Sequence, residues 1–117
     1  IIMMALDVSG TSGKLWFGKN GTWFNAPGTS SVGNPATGAN AGISFAKGDE
    51  FWGISVSSSA NAAGNANRYI YCNFGRGCFG TTAVSSGNAD GAGQGIFEYA
   101  PPSGFYAMCT KNLKDYG

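Results

Sequence analysis

Histidine is absent from this chain, and charge is scarce: only 11% of its 117 residues are Asp, Glu, Lys or Arg. Without an imidazole, neither a Ser-His-Asp nor a Cys-His nucleophilic arrangement can be assembled within the chain. A zinc site would also lack its usual nitrogen ligand. The net charge of +1 comes from basic residues set apart at Lys14, Lys19, Lys47, Arg68, Arg76, Lys111 and Lys114. Nucleic acid calls for clustered Lys and Arg, so no nucleic-acid partner is expected. No apolar run approaches the roughly 18–20 residues that span a bilayer, so no membrane insertion is expected. The opening Ile1-Ile2-Met3-Met4-Ala5-Leu6 reaches Asp7 too quickly, and lacks the positive start of a signal peptide. Nowhere does apolar spacing of i, i+3, i+4, i+7 persist over a dozen residues, so no helix longer than two turns is expected.

Cysteine is sparse and odd in number. Cys72, Cys78 and Cys109 cannot form a complete disulfide framework. Cys72 and Cys78 flank a tight N-F-G-R-G loop and could meet across it; otherwise Cys72 and Cys109 are small buried hydrophobes on strands. The carboxylates are Asp7, Asp49, Glu50, Asp90, Glu98 and Asp115. Glycoside hydrolysis needs two of them facing across a cleft. Asp49 and Glu50 are adjacent within K-G-D-E, which is better explained as a solvated turn. Asn88-Ala89-Asp90-Gly91 has some calcium-loop character, but no further carboxylate follows at the required spacing. Gly91-Ala92-Gly93-Gln94-Gly95 resembles part of a phosphate loop, yet no helix follows to supply its N-terminal amides. No cofactor and no metal are expected, and no enzymatic activity.

What the chain has in quantity is glycine, 20 residues of it, together with Ser, Asn and Ala. Small residues and few charges suit short strands joined by long loops. Met4 to Phe24 is the most structured stretch. Met4, Leu6 and Val8 share one parity, and Leu15 and Phe17 share one in the next run, so each run can bury an apolar row. On that parity Phe17 is core, and Phe17→Ala would cost about 3–5 kcal/mol. Ser9 to Gly13 is turn chemistry, and Asn20-Gly21 is the chain's strongest hairpin signal. Three strands in a meander follow, the last beginning at Thr22.

Further on, Asn25 to Gly42 is a long loop interrupted by Pro27 and Pro35. Ile43 to Phe45 is a short strand, and Phe51 to Ser57 alternates as a half-buried strand with Trp52, Ile54 and Val56 on one face. Ser58 to Asn67 is a low-complexity loop tip. Arg68 to Phe74 is expected as a strand with Ile70, Cys72 and Phe74 inside. Gly75 to Gly95 is a glycine-rich loop. Ile96 to Tyr99 is a strand stopped by Pro101-Pro102, and Gly104 turns the chain into a last strand, Phe105 to Thr110. Lys111 to Gly117 is expected to fray or join a neighbour.

The segments A-L-D-V and K-L-W-F-G-K-N-G-T-W, then Y-C-N-F-G-R (71–76), then I-F-E-Y-A-P-P-S-G-F-Y-A-M-C-T-K-N-L (96–113), occur in the order found in SPRY domains. Together they resemble the C-terminal part of a SPRY-like domain of the kind found in bacteriophage and prophage structural proteins. The resemblance covers about half of the residues, and Thr81 to Gly93 matches as an insertion. It implies an all-β fold: an antiparallel bent β-sandwich of the SPRY/concanavalin-like type with long Gly/Ser/Asn-rich loops. Residues 1–117 would form a single sandwich domain, the C-terminal portion of a longer chain, since a full domain has strands before A-L-D. The resemblance further implies a binding module with its site on loops at one edge.

Two functions follow as expectations. The first is a virion structural or binding module, such as a tail fibre, head fibre or capsid decoration protein. Its partners would be neighbouring virion proteins or a host surface receptor, a glycan included, and homo-oligomers would suit a fibre. Such a protein assembles in host cytoplasm and ends outside the cell on the virion. The alternative is a cellular SPRY-type module binding a short peptide. Aromatic rings with amide side chains recognise sugars and protein surfaces, because flat rings bury area at little entropic cost. The residues nominated for such a platform are Trp16, Asn20, Trp23, Asn25, Asn40, Tyr69 and Tyr71. The competing explanation for the aromatics is core packing, with Trp16 under a loop.

Overall fold

Asn20 and Gly21 set the register of the N-terminal half. Both adopt positive φ, 50° and 86°, the combination a type I′ turn requires. The turn joins β2 (Ser12–Lys19) to β3 (Thr22–Trp23), pairing Lys19 with Thr22. On the other edge of β2 lies β1 (Ile2–Asp7), antiparallel, with Ala5 opposite Trp16 and Leu6 opposite Leu15. The expected three-strand meander is therefore present. The computed structural model describes residues 1–25, 30–48, 53, 55 and 69–116. The strand expected over Phe51 to Ser57 and the loop expected over Ser58 to Asn67 lie outside these residues, save for exposed Gly53 and Ser55.

A fourth strand, β4 (Ile43–Ala46), pairs with the first half of β2, so β3 and β4 share one edge of that strand. Between them the chain makes a short 3-10 turn at Pro35–Thr37. Its start is fixed by the Asn34 side chain accepting from Thr37 N at 3.3 Å, and it ends at Gly38 with φ 70°. Proline suits this first helical position because its missing N–H would have had no partner there.

The sheet buries the opposite row from the one the alternation indicated. Trp16 is fully buried and Ala5 nearly so, while Met4, Leu6 and Phe17 are each more than a third exposed. The Trp16 row also carries Asp7 and Lys14, so parity alone favoured the row of Met4, Leu6, Leu15 and Phe17. The deciding feature is the size of a single side chain. Ala5, directly opposite Trp16 on β1, is small and leaves a hollow for the indole, whose Nε1–H donates to Ala39 O at 2.9 Å. A buried indole needs such a partner. Phe105 closes the hollow edge-on.

Glycines within β2 serve the same packing. A Cβ on Gly13 would lie 2.1 Å from the Phe45 ring, and one on Gly18 would lie 2.9 Å from the Trp23 ring. In each case an aromatic side chain from the partner strand covers a glycine on β2. A glycine inside a strand marks this kind of close approach.

The C-terminal half contains little strand. β5 (Cys78–Phe79) and β6 (Thr82–Ala83) form a small hairpin inside the stretch expected to be loop. No strand forms over 69–74, and Ile70, Cys72 and Phe74 are exposed rather than inside. The strand expected at Ile96 to Tyr99 reduces to one bridge, Asn88 with Phe97. The turn at Pro102 to Phe105 is as expected, with Gly104 at φ 83° and Phe105 N donating to Pro102 O at 3.0 Å. The last strand is not formed. Instead α1 (Thr110–Tyr116) follows, where fraying was expected.

Two contacts hold this helix. Tyr116 stacks on Tyr106 with centroids 4.1 Å apart. Asn112 is buried, and its Nδ2 donates to Asp90 Oδ2 at 2.8 Å and to Ala107 O at 2.9 Å. Seven residues are too few to hold a helix in water unaided, so these tertiary contacts decide the matter. Regular structure among the described residues is thus mainly antiparallel strand, with one short helix, as an all-β chain requires.

Candidate functional site

The nominated residues divide into three groups. Trp16 is withdrawn from the surface: it lies fully buried beneath the loop that carries Ala39, so it cannot form an exposed platform. Trp23 is half-buried against Gly18. The three asparagines close loops. Asn20 occupies the type I′ turn, and Asn25 Oδ1 accepts from Ser30 N at 3.0 Å. Asn40, at φ 52°, donates through Nδ2 to Val32 O at 2.9 Å. Of the nominated aromatics, Tyr69 and Tyr71 are exposed, at 73% and 58%. They stack with planes 12° apart and centroids at 6.3 Å.

Tyr71 lies at an open cleft of about 350 Å³ lined by Ile70, Tyr71, Cys72, Phe74, Arg76 and Gly80. Five of these, Ile70, Cys72, Phe74, Arg76 and Gly80, are not among the residues nominated from the sequence. The cleft owes its shape to a local device. Asn73 Oδ1 accepts from Gly75 N at 2.9 Å and from Gly77 N at 3.2 Å, and its Nδ2 donates to Ile96 O at 3.0 Å. This side-chain clamp makes the backbone turn sharply. Gly75 and Gly77 supply φ of 108° and 84° on either side of Arg76. Arg76 is exposed, and its Nε donates to Cys78 Sγ at 3.3 Å. No salt bridge to Arg76 is formed among the described residues, and no carboxylate lines the cleft.

Opposite Arg76, Gly80 adopts φ 61°, and a Cβ there would lie 2.8 Å from the Tyr71 ring. The hairpin turn therefore rests directly against that ring. All three cysteines are free, so no bond joins Cys72 to Cys78 beneath the cleft. In the sequence the signal for this arrangement was the run N-F-G-R-G-C-F-G. Its glycines announce turns, but not that the arginine between two of them faces outward beside a tyrosine.

The described carboxylates with resolved behaviour are engaged elsewhere. Asp90 is buried, and burial would raise its pKa. The N–H groups of Ala107, Gln94 and Ala92, with the Asn112 amide, outweigh that and hold it below the ordinary value. Its bonds run to Ala107 N at 2.7 Å, Gln94 N at 2.8 Å and Ala92 N at 2.9 Å. The Asn88 to Gly91 stretch thus fastens loops together, with the Asp90 carboxylate accepting from their N–H groups. Glu98 is likewise lowered, first by the hydroxyl and then by the backbone N–H of Ser85. Asp7 is lowered by the same two groups of Ser9. Among the described residues no three His, Cys, Asp or Glu side chains converge as metal ligands would, and no helix is long and apolar enough to cross a membrane.

The arrangement can grip, by ring faces and one guanidinium, a flat or ring-shaped group that carries negative charge. No family model, curated protein or solved structure matches the chain.

Proposed function

We propose that this chain is a binding module of a virion, a fibre or decoration component that touches a host receptor or a neighbouring subunit. The observation that carries the reading is the stacked, exposed Tyr69–Tyr71 pair, whose Tyr71 lines a cleft beside the turn clamped by Asn73. Tyrosines exposed to this degree favour contact with a partner, since rings with few rotatable bonds bury area at low entropic cost. The resemblance to phage SPRY-like modules supports the virion setting. It also supports a bent-sandwich arrangement of the antiparallel strands.

Immunogold labelling of virus particles from the source culture, with antibody to this chain, tests the setting. Regular label on particles is expected. Particles without label, and a monomer that instead captures a linear peptide, would favour the cellular peptide-binding reading, for which the apolar lining of Ile70 and Phe74 gives side-chain room.

A further inference from the structure

We propose that the cleft between Tyr71 and Arg76 takes an acidic saccharide, a sugar ring bearing a carboxylate, with the ring against the tyrosine and the carboxylate on the guanidinium. The proposal rests on the binding-module reading and names its ligand class. Three observations converge on it.

The cleft is open, and exposed Tyr71 and Phe74 line it together with Arg76. A shallow aromatic surface suits the C–H face of a pyranose, which needs flat apolar contact. Deep enclosure, as for a drug-sized ligand, is not present.

Among the described residues Arg76 is the one charged side chain lining the cleft, and no salt bridge engages it. Only its Nε is bonded, to Cys78 Sγ, so the Nη groups remain available to an incoming oxyanion. A guanidinium presents a planar fork that matches a carboxylate in two parallel bonds. The flanking glycines and the Asn73 clamp fix the backbone that carries this side chain. The backbone that carries the guanidinium is therefore set before the ligand arrives, which lowers the ordering cost of binding.

Segment 69–73 forms no strand and pairs with none among the described residues. Peptide recognition by strand addition needs a strand edge to extend, and none lies on this rim among the described residues. A glycan, read by ring face and charge, needs no such edge.

The test uses the intact chain and three probes in calorimetry or surface resonance: an oligogalacturonate, a neutral galactan oligosaccharide of the same length, and an oligo-glutamate peptide. The oligogalacturonate is expected to bind, with the neutral oligosaccharide at least tenfold weaker. Arg76→Gln should weaken oligogalacturonate binding by about tenfold to a hundredfold, the usual worth of a charge-assisted bond. Tyr71→Ala should weaken both saccharides together. Circular dichroism and melting temperatures close to wild type in both variants establish that the fold is kept. Equal binding of neutral and acidic saccharides, or stronger binding of the peptide, overturns the acidic-saccharide assignment but leaves a binding module in place. Binding of no probe, or binding untouched by Tyr71→Ala and Arg76→Gln, overturns the assignment and removes the cleft from the binding-module reading as well.

Discussion

Trp16 and Phe105 stand edge to face, with centroids 5.9 Å apart and planes at 86°. This contact joins β2 to the segment that leads into α1, two parts of the chain far apart in sequence. An edge-to-face pair adds about 0.5–1.5 kcal/mol beyond simple burial. The fully buried indole is thus the point at which the N-terminal sheet and the C-terminal loops become one core.

Trp16→Ala is expected to lower stability by about 3–5 kcal/mol in urea unfolding, as truncation of a buried aromatic does. Trp16→Phe keeps most of the apolar area but loses the indole's bond to Ala39 O, which still accepts from Asn34 N at 3.0 Å, and should cost about 0.5–1.5 kcal/mol. Phe17→Ala, at a site 37% exposed, should cost about 1 kcal/mol. If Phe17→Ala proved more damaging than Trp16→Ala, the assignment of the buried face would be wrong.

Gly13→Ala should destabilise although alanine favours strands no less than glycine does. The added methyl would lie 2.1 Å from the Phe45 ring, so β4 or the ring must move. Overpacking of this kind costs about 1–3 kcal/mol. Gly10→Ala is the control, since an added Cβ there would meet Ser12 O at an ordinary 3.8 Å. Thermal melts of the two variants give the comparison, and similar melting temperatures would contradict the close packing on β2.

Acid should loosen the C-terminal half. The Asp90 pKa is lowered below 3.8 in the folded chain. A group with a depressed folded pKa contributes stability that is present above its unfolded value and lost as pH falls through the folded one. Asp7 and Glu98 are depressed as well and act in the same direction. Melting temperature should therefore vary little through Asp90 between neutral pH and about pH 4.5, then fall as pH drops below about 4. Asp90→Asn should flatten part of that fall. It should also cost about 1–3 kcal/mol at neutral pH, because an amide nitrogen would face donors at Ala107 or Asn112. An unchanged acid slope in Asp90→Asn would show that this carboxylate does not hold the loops together.

Asn112→Ala should release α1 in particular. Its buried amide is the side-chain link from the helix to Asp90 and Ala107. Far-ultraviolet circular dichroism and amide exchange should report faster opening of Thr110–Tyr116, with β1 and β2 unaffected. Equal acceleration in both regions would mean that the helix and the sheet open as one unit.

Much of the N-terminal half was legible because its signals are local. Asn20-Gly21 dictates a type I′ turn from two residues, and that turn fixes the register of β2 on β3. Which face is buried was not legible from alternation, because Leu6, Leu15 and Phe17 on one row compete with Trp16 on the other. The competition is settled by Phe105 and Ala39, residues distant in sequence. The C-terminal helix was missed for a similar reason. Its seven residues lack an apolar stripe, and it is secured by one buried asparagine and one tyrosine stack. At the site, Tyr69 and Tyr71 were visible as surplus aromatics. Arg76 was not, since its outward position comes from the Asn73 clamp and two glycines at positive φ.

Hydroxyl-radical footprinting of the intact chain, free and then bound to the surface of its target cells or particles, tests the central claim most directly. The account predicts protection centred on Tyr69, Tyr71 and Phe74, with Trp16 equally shielded in both states. Protection confined to Met4, Leu6 and Phe17 on the outer row of the sheet, with the tyrosines still reactive, would contradict it.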